Sequence, residues 1–79
     1  NVAQAEAYIE SVLQRAAVTP PRRRPTFIVK DVRLFLNTIR RSMGIMRRAG
    51  VDAAYEREDT DEEIRLTIRI PRTGAAKTA

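Results

Sequence analysis

The densest group of side chains able to hold a metal or move a proton lies between Asp52 and Glu63. It comprises Asp52, Glu56, Glu58, Asp59, Asp61, Glu62 and Glu63. A calcium loop would need ordered oxygen ligands at alternate positions and a central glycine for its sharp turn. This run has neither, so it reads as a solvated acidic turn. The chain has no His and no Cys. Ser11 and Ser42 therefore lack the imidazole that would activate them as nucleophiles, and disulfides and the usual zinc ligands are ruled out. Three glycines form no phosphate cradle. We expect no enzyme, metal site, cofactor or small-molecule substrate in these 79 residues.

The cations are more informative. The formal net charge is +5, and it is unevenly spread. Residues 1–29 carry +2, residues 30–50 carry +5 and residues 51–79 carry −2. A concentration of Lys and Arg in the middle of a short chain points to an anionic partner, nucleic acid first. The candidate DNA contacts are Arg22, Arg23, Arg24, Lys30, Arg33, Arg40, Arg41, Arg47 and Arg48. The plain alternative is a solvated face that maintains solubility. With no Trp and four aromatic residues in all, single-strand recognition by base stacking is disfavoured. Phosphate contact, independent of base sequence, is the expected mode.

The elements that position these groups follow from spacing. Asn1 is a candidate N-cap for a helix over residues 2–17, with Val2, Ala5, Ile9, Val12, Leu13 and Ala16 at helical intervals. Its apolar stripe is narrow and Ala-rich, so it needs a larger surface to pack on. Pro20, Pro21 and Pro25 interrupt helix formation, and the Pro/Arg-rich segment 18–29 reads as a basic linker with extended backbone. Arg22–Arg24 is either a phosphate-contacting arm or a plain solubilising stretch. Residues 25–29 read either as a brief strand or as an apolar lead-in to the next helix.

That second helix is the best-defined element, capped by Asp31 and stopped at Gly50. Val32, Phe35, Leu36, Ile39, Met43, Met46 and Ala49 form its apolar stripe. The Phe35, Met43 and Met46 group reads as core before it reads as a peptide groove. Leu34 and Ile45 lie off the stripe, so a second packing partner is required. Residues 51–57 alternate weakly. After the acidic turn, Ile64, Leu66, Ile68 and Ile70 alternate with Arg65, Thr67 and Arg69, the signature of a half-buried antiparallel strand. Glu56 and Glu58 are placed to pair across with Arg65 or Arg69. Pro71 ends the strand, and residues 73–79 read as a disordered tail.

The expected fold is α+β: a helix followed by an antiparallel β-hairpin, with an extra N-terminal helix on the linker. A lone hairpin is marginal and leaves open edges. A core of this size supplies only a few kcal/mol of stability, roughly 3–5, so a staple or partner is expected. We expect a homodimer whose hairpins join into a four-stranded sheet with helices on one face. The candidate interface is Leu34, Phe35, Leu36, Ile39, Met43, Ile45, Met46, Ile64, Leu66, Ile68 and Ile70. A stand-alone basic DNA-binding module and recruitment of another protein through the hairpin edge are the alternatives. No stretch approaches the roughly 20 apolar residues of a membrane span, and no membrane contact is expected. The chain opens on Asn1 rather than Met, which leads us to expect part of a longer protein.

Three stretches, Asp31–Ile39, Met46–Val51 and Glu63–Pro71, resemble the C-terminal domain of the nucleoid occlusion (Noc) branch of the ParB family of chromosome-partition proteins. Residues 1–9 are similar to the helix that follows the helix-turn-helix region in that family. The resemblance implies that residues 1–17 end a central DNA-binding domain and that 30–72 form a dimerisation domain. It implies a bacterial, cytoplasmic, nucleoid-associated DNA clamp. In that family CTP is bound and hydrolysed by an N-terminal part, whose motifs this sequence lacks. Some relatives bind DNA non-specifically through basic residues here, which makes Arg40, Arg41, Arg47 and Arg48 candidates by position.

Overall fold

The computed structural model describes residues 1–71; residue 72 and the expected tail over 73–79 lie outside the described residues. The elements are helix α1 (Val2–Val18), strand β1 (Thr26–Val29), helix α2 (Val32–Arg48), and strands β2 (Ala54–Asp59) and β3 (Ile64–Arg69). The fold is α+β, as expected, with two helices and a three-stranded antiparallel sheet in the order β1-β3-β2.

Local chemistry sets the helix ends. The Asn1 side chain accepts from the Gln4 N–H at 2.9 Å, and Gln4 reaches back to the Asn1 amine, so both open donors are satisfied. Asp31 accepts from the Leu34 N–H at 2.8 Å. At the far end of α2, Gly50 takes φ 76°, which a residue with a Cβ adopts only under strain. That turn sends the Gly50 N–H to the Arg47 carbonyl and the Val51 N–H to the Met46 carbonyl, closing the last carbonyls of α2.

Segment 25–29 resolves as a strand. β1 pairs with β3 in the register Phe27↔Leu66 and Val29↔Ile64, which places β3 at the centre of the sheet. β2 pairs on the other side, with Glu56↔Thr67 and Glu58↔Arg65. The sheet is therefore one strand wider than a hairpin within a single chain. Glu58 and Asp59 belong to β2, and the turn shrinks to Thr60–Glu63, where the Thr60 N–H donates to the Glu63 carbonyl at 2.9 Å. The cross-strand ion pairs form: Arg65–Glu58 at 2.9 Å and Arg69–Glu56 at 3.4 Å.

One sheet face is covered. Phe27, Val29, Ile64, Leu66 and Ile68 form one buried cluster with Phe35, Ile45 and Met46 of α2 and Leu13 and Ala16 of α1. The second partner required by Leu34 and Ile45 is thus found inside the chain. α1 packs along α2, Ile45 shares its cluster with Leu13 and Ala16, and Arg41 pairs with Glu6 at 3.1 Å. Leu34 borders the groove between the two helices.

Ser42 lies on the buried side of α2, fully enclosed, and its hydroxyl has no hydrogen-bond partner among the described residues. An enclosed hydroxyl without a partner loses its hydration and gains nothing in return. Ser42→Ala should therefore stabilise the fold by about 1 kcal/mol, raising the melting temperature by roughly 4–8 °C for a domain of this size. Urea and thermal unfolding of the two proteins check it; an unchanged or lower stability contradicts it.

Candidate nucleic-acid interface and self-association surface

At 3.6 residues per turn, α2 presents four sides. Phe35, Ser42 and Met46 face the sheet, while Leu34, Arg41 and Ile45 face α1. The remaining two sides meet solvent, and each has a distinct character.

The first is apolar. Val32, Leu36, Ile39 and Met43 fall at i, i+4, i+7 and i+11, one continuous ridge. Val32 is 51% and Leu36 53% exposed, and Ile39 and Met43 are half-buried. The ridge runs into a hollow of about 380 Å³ in which Met43, Met46, Val51 and Ala53 share the lining with Arg47, Gly50 and Asp52. Phe35 meets Tyr55 of β2 edge to face, with ring centroids 6.2 Å apart, and the Arg57 guanidinium lies 4.9 Å over the Phe35 ring. Tyr55 is itself exposed, so apolar surface also reaches β2.

The sequence-derived interface set therefore divides. Phe35, Ile45, Met46, Ile64, Leu66 and Ile68 are buried in this chain's own core. Leu34 and Leu36 are exposed, and Ile39, Met43 and Ile70 are half-buried. Val32 and Tyr55 were not in that set. Val32 sits on the stripe and its exposure depends on what the stripe packs against. Tyr55 lies in a strand whose alternation is weak.

The second exposed side is basic. Arg33, Arg40 and Arg47 recur every seven residues, about 10.5 Å apart along the axis. They form no ion pair among the described residues, and neither do Arg22, Arg23, Lys30 and Arg48. All seven are exposed. The guanidinium of Arg48 lies back over Gly44, 3.4 Å from where a Cβ would stand. Two members of the candidate DNA set are already engaged: Arg24 with Glu56 at 3.4 Å and Arg41 with Glu6.

The uncovered sheet face is also rich in charge, yet compensated. Glu56 is shared by Arg24 and Arg69, and Glu58 holds Arg65. Thr26 and Thr67 hydroxyls meet at 3.3 Å beside them. Along β2, Arg57 and Asp59 join through two hydrogen bonds of 2.7 and 3.0 Å. That bond raises the Arg57 pKa and holds the Asp59 carboxyl below its ordinary range. Exposed pairs of this kind stabilise weakly; their larger effect is to leave the sheet with little unbalanced charge. Among the described residues no group of acids is placed to hold a metal, and no helix is long and apolar enough to cross a membrane.

The family model for the nucleoid occlusion protein C-terminal domain matches residues 27–69, from β1 to the end of β3. A nucleoid occlusion protein of Bacillus subtilis is 39% identical over 72 residues, covering 91% of this chain and 25% of the relative. That of Lysinibacillus sphaericus is 35% identical over 78 residues, covering 91% and 26%. That of Listeria monocytogenes serovar 1/2a is 33% identical over 75 residues, again covering 91% and 26%. The chain thus spans about a quarter of the length of the curated relatives it matches. No solved structure matches it. With more than half its residues inside the family model and α1 carried along in the longer matches, the chain belongs to the nucleoid occlusion protein C-terminal domain family, in the ParB group.

Proposed function

We propose that this chain is the homodimerisation module of a nucleoid occlusion DNA clamp, and that the arginine row of α2 gives it a sequence-independent hold on DNA. The observation that carries the first part is the ridge Val32, Leu36, Ile39 and Met43. After α2 has been covered by both the sheet and α1, Val32 and Leu36 stay exposed and Ile39 and Met43 only half-buried. An amphipathic helix face of this kind is stable in water when it finds an apolar partner. The ridge adjoins Tyr55 and the free edge of β2. A two-fold copy satisfies both at once: β2 pairs with β2, and ridge meets ridge.

β1 adds a strand to each half, so this dimer has a six-stranded sheet rather than four. Alternation along β3 fixes which β2 groups face outward. Because β3 uses Leu66 and its alternates to bond β1, Glu56 and Glu58 turn inward to β3. Tyr55, Arg57 and Asp59 then present their N–H and C=O groups at the outer edge. Arg57 and Asp59 offer opposite charges there, and an antiparallel copy can exchange their ion pair across the interface.

Two observations support the DNA part: the unpaired row Arg33, Arg40 and Arg47, and the name of the relatives, which act at the nucleoid. The row's spacing suits phosphate contacts and carries no base-reading geometry. The chain's role within the longer protein is mechanical. It joins two subunits on DNA, at the nucleoid, while nucleotide chemistry and site reading belong to upstream segments.

Leu36→Asp should convert a dimer at micromolar concentration into a folded monomer, because it forces an unpaired charge into the ridge. Light scattering with circular dichroism checks it. A wild-type monomer that is fully folded sinks the proposal. For DNA, Arg40→Gln with Arg47→Gln should lower the slope of log affinity against log salt by about 2 on a duplex of arbitrary sequence. Arg65→Gln with Arg69→Gln should leave it nearly unchanged. Equal effects of the two pairs would overturn the assignment to α2.

A further inference from the structure

The two edges of the sheet are built differently. β2 carries Glu56, Arg57, Glu58 and Asp59, a charged edge of the kind that resists casual strand pairing. β1 is Thr26-Phe27-Ile28-Val29, with no charge, no proline within it and no bulge. The Ile68 N–H donates to the Pro25 carbonyl at 2.9 Å. Antiparallel alternation then assigns Phe27 and Val29 to the bonds with β3. The N–H and C=O of Thr26 and Ile28 point the other way, to an open edge. Ile28 is 54% exposed.

Beside that edge lies a mostly apolar cleft of about 460 Å³, its walls formed by Tyr8 and Ile9 of α1, Phe27 and Val29 of β1, and Leu34 and Thr38 of α2. Tyr8 stands edge-on to Phe27, ring centroids 6.4 Å apart. Cations without an ion pair among the described residues flank both ends of the strand: Arg22 and Arg23 before it, Lys30 after it. The nearby acids of α1 are engaged, Glu6 with Arg41 and Glu10 with the Gln14 amide.

We infer that the β1 edge and the α1/α2 cleft form a docking site for an extended peptide of another protein, one with alternating apolar residues between acidic ends. The peptide adds antiparallel to β1, exchanging main-chain hydrogen bonds with Thr26 and Ile28. Alternate side chains enter the cleft beneath Tyr8, and the acidic ends meet Lys30 on one side and Arg22 and Arg23 on the other. The site is distinct from the proposed dimer contact, because β1 and β2 lie on opposite sides of β3. A dimer closed through β2 would carry one such site at each end of its sheet. α1 lies outside the matched family model, so the cleft combines the family domain with a segment preceding it.

The test uses the 79-residue chain and a synthetic peptide of alternating valine and threonine with glutamate pairs at both ends. Amide NMR should show shifts at Thr26–Lys30, Tyr8, Ile9 and Leu34, with slowed exchange of the Ile28 amide. A version with lysine pairs at the ends should bind about ten-fold more weakly. Ile28→Pro should abolish binding while keeping the fold, because the N–H it removes is not part of the β1–β3 ladder. Lys30→Glu is the second variant, leaving the backbone intact and weakening the acidic peptide while favouring the lysine-ended one. Mass is read by light scattering in the same samples. Absence of shifts at β1, shifts confined to the α2 arginines, or unchanged binding by both variants overturns the inference. A loss of dimer mass in Ile28→Pro would also overturn it, by assigning the β1 edge to a second copy. A wild-type monomer that binds the peptide would contradict the dimer proposal and leave this site standing.

Discussion

Burial of one side of α2 against β3 is the contact on which the other elements depend. β3 is central, and its Ile64, Leu66 and Ile68 are buried in one cluster with Phe35, Ile45 and Met46 of α2. A hairpin alone would be marginal, and β1 joins only because β3 is already held in place for it. α1 is tied in the same way, since its small buried surface, Leu13 and Ala16, reaches the common cluster beside Ile45. Deleting a large buried side chain such as Leu66 would therefore weaken every element and not one pairing alone.

Once the sheet and α1 have claimed their sides of α2, what remains is specific in shape. One exposed side is an apolar ridge, and the neighbouring side is an arginine row. The charges elsewhere reinforce this division. Glu56 and Glu58 pair with Arg24, Arg65 and Arg69 over the open sheet face, leaving one excess positive charge there, and Glu6 pairs with Arg41. Among the described residues the cations left without an ion pair are Arg33, Arg40, Arg47 and Arg48 on α2, Arg22, Arg23 and Lys30 around β1, and Arg15 on α1. Partner choice thus follows from which cations lack an acid within reach, more than from the net charge of the chain.

Features set by local chemistry were readable in the sequence. Asn1 and Asp31 cap as their side chains require, Gly50 takes the positive φ that ends α2, and the alternation from Ile64 to Ile68 marks the covered face. Features set by distant contacts were not. β1 is four residues long, and its partner Thr67 lies far along the chain from Thr26, so nothing local separates a strand from a helix lead-in. Leu34 and Ile45 pointed to a second packing partner, expected to be a second copy, whereas Ile45 shares its cluster with Leu13 and Ala16 of α1 in the same chain. An Ala-rich helix beyond three prolines gave no local sign that it folds back onto α2. For the same reason Arg24 and Arg41 joined the candidate DNA set: their acidic partners come from β2 and α1. The long resemblance to the nucleoid occlusion branch was carried by the α2 and β3 segments, and the family match over residues 27–69 rests on the same part of the chain.

In the proposed dimer the ridge of α2 faces a second copy of itself. The most direct measurement is an isotope-filtered NOE experiment on a mixture of labelled and unlabelled chains, which detects only contacts between subunits. Intermolecular NOEs are expected from the Leu36, Ile39 and Met43 methyl groups and from the Tyr55 ring, and none from Leu66 or Ile68. Intermolecular NOEs confined to β1 or α1, or none at all at concentrations where the chain is folded, would contradict this dimer.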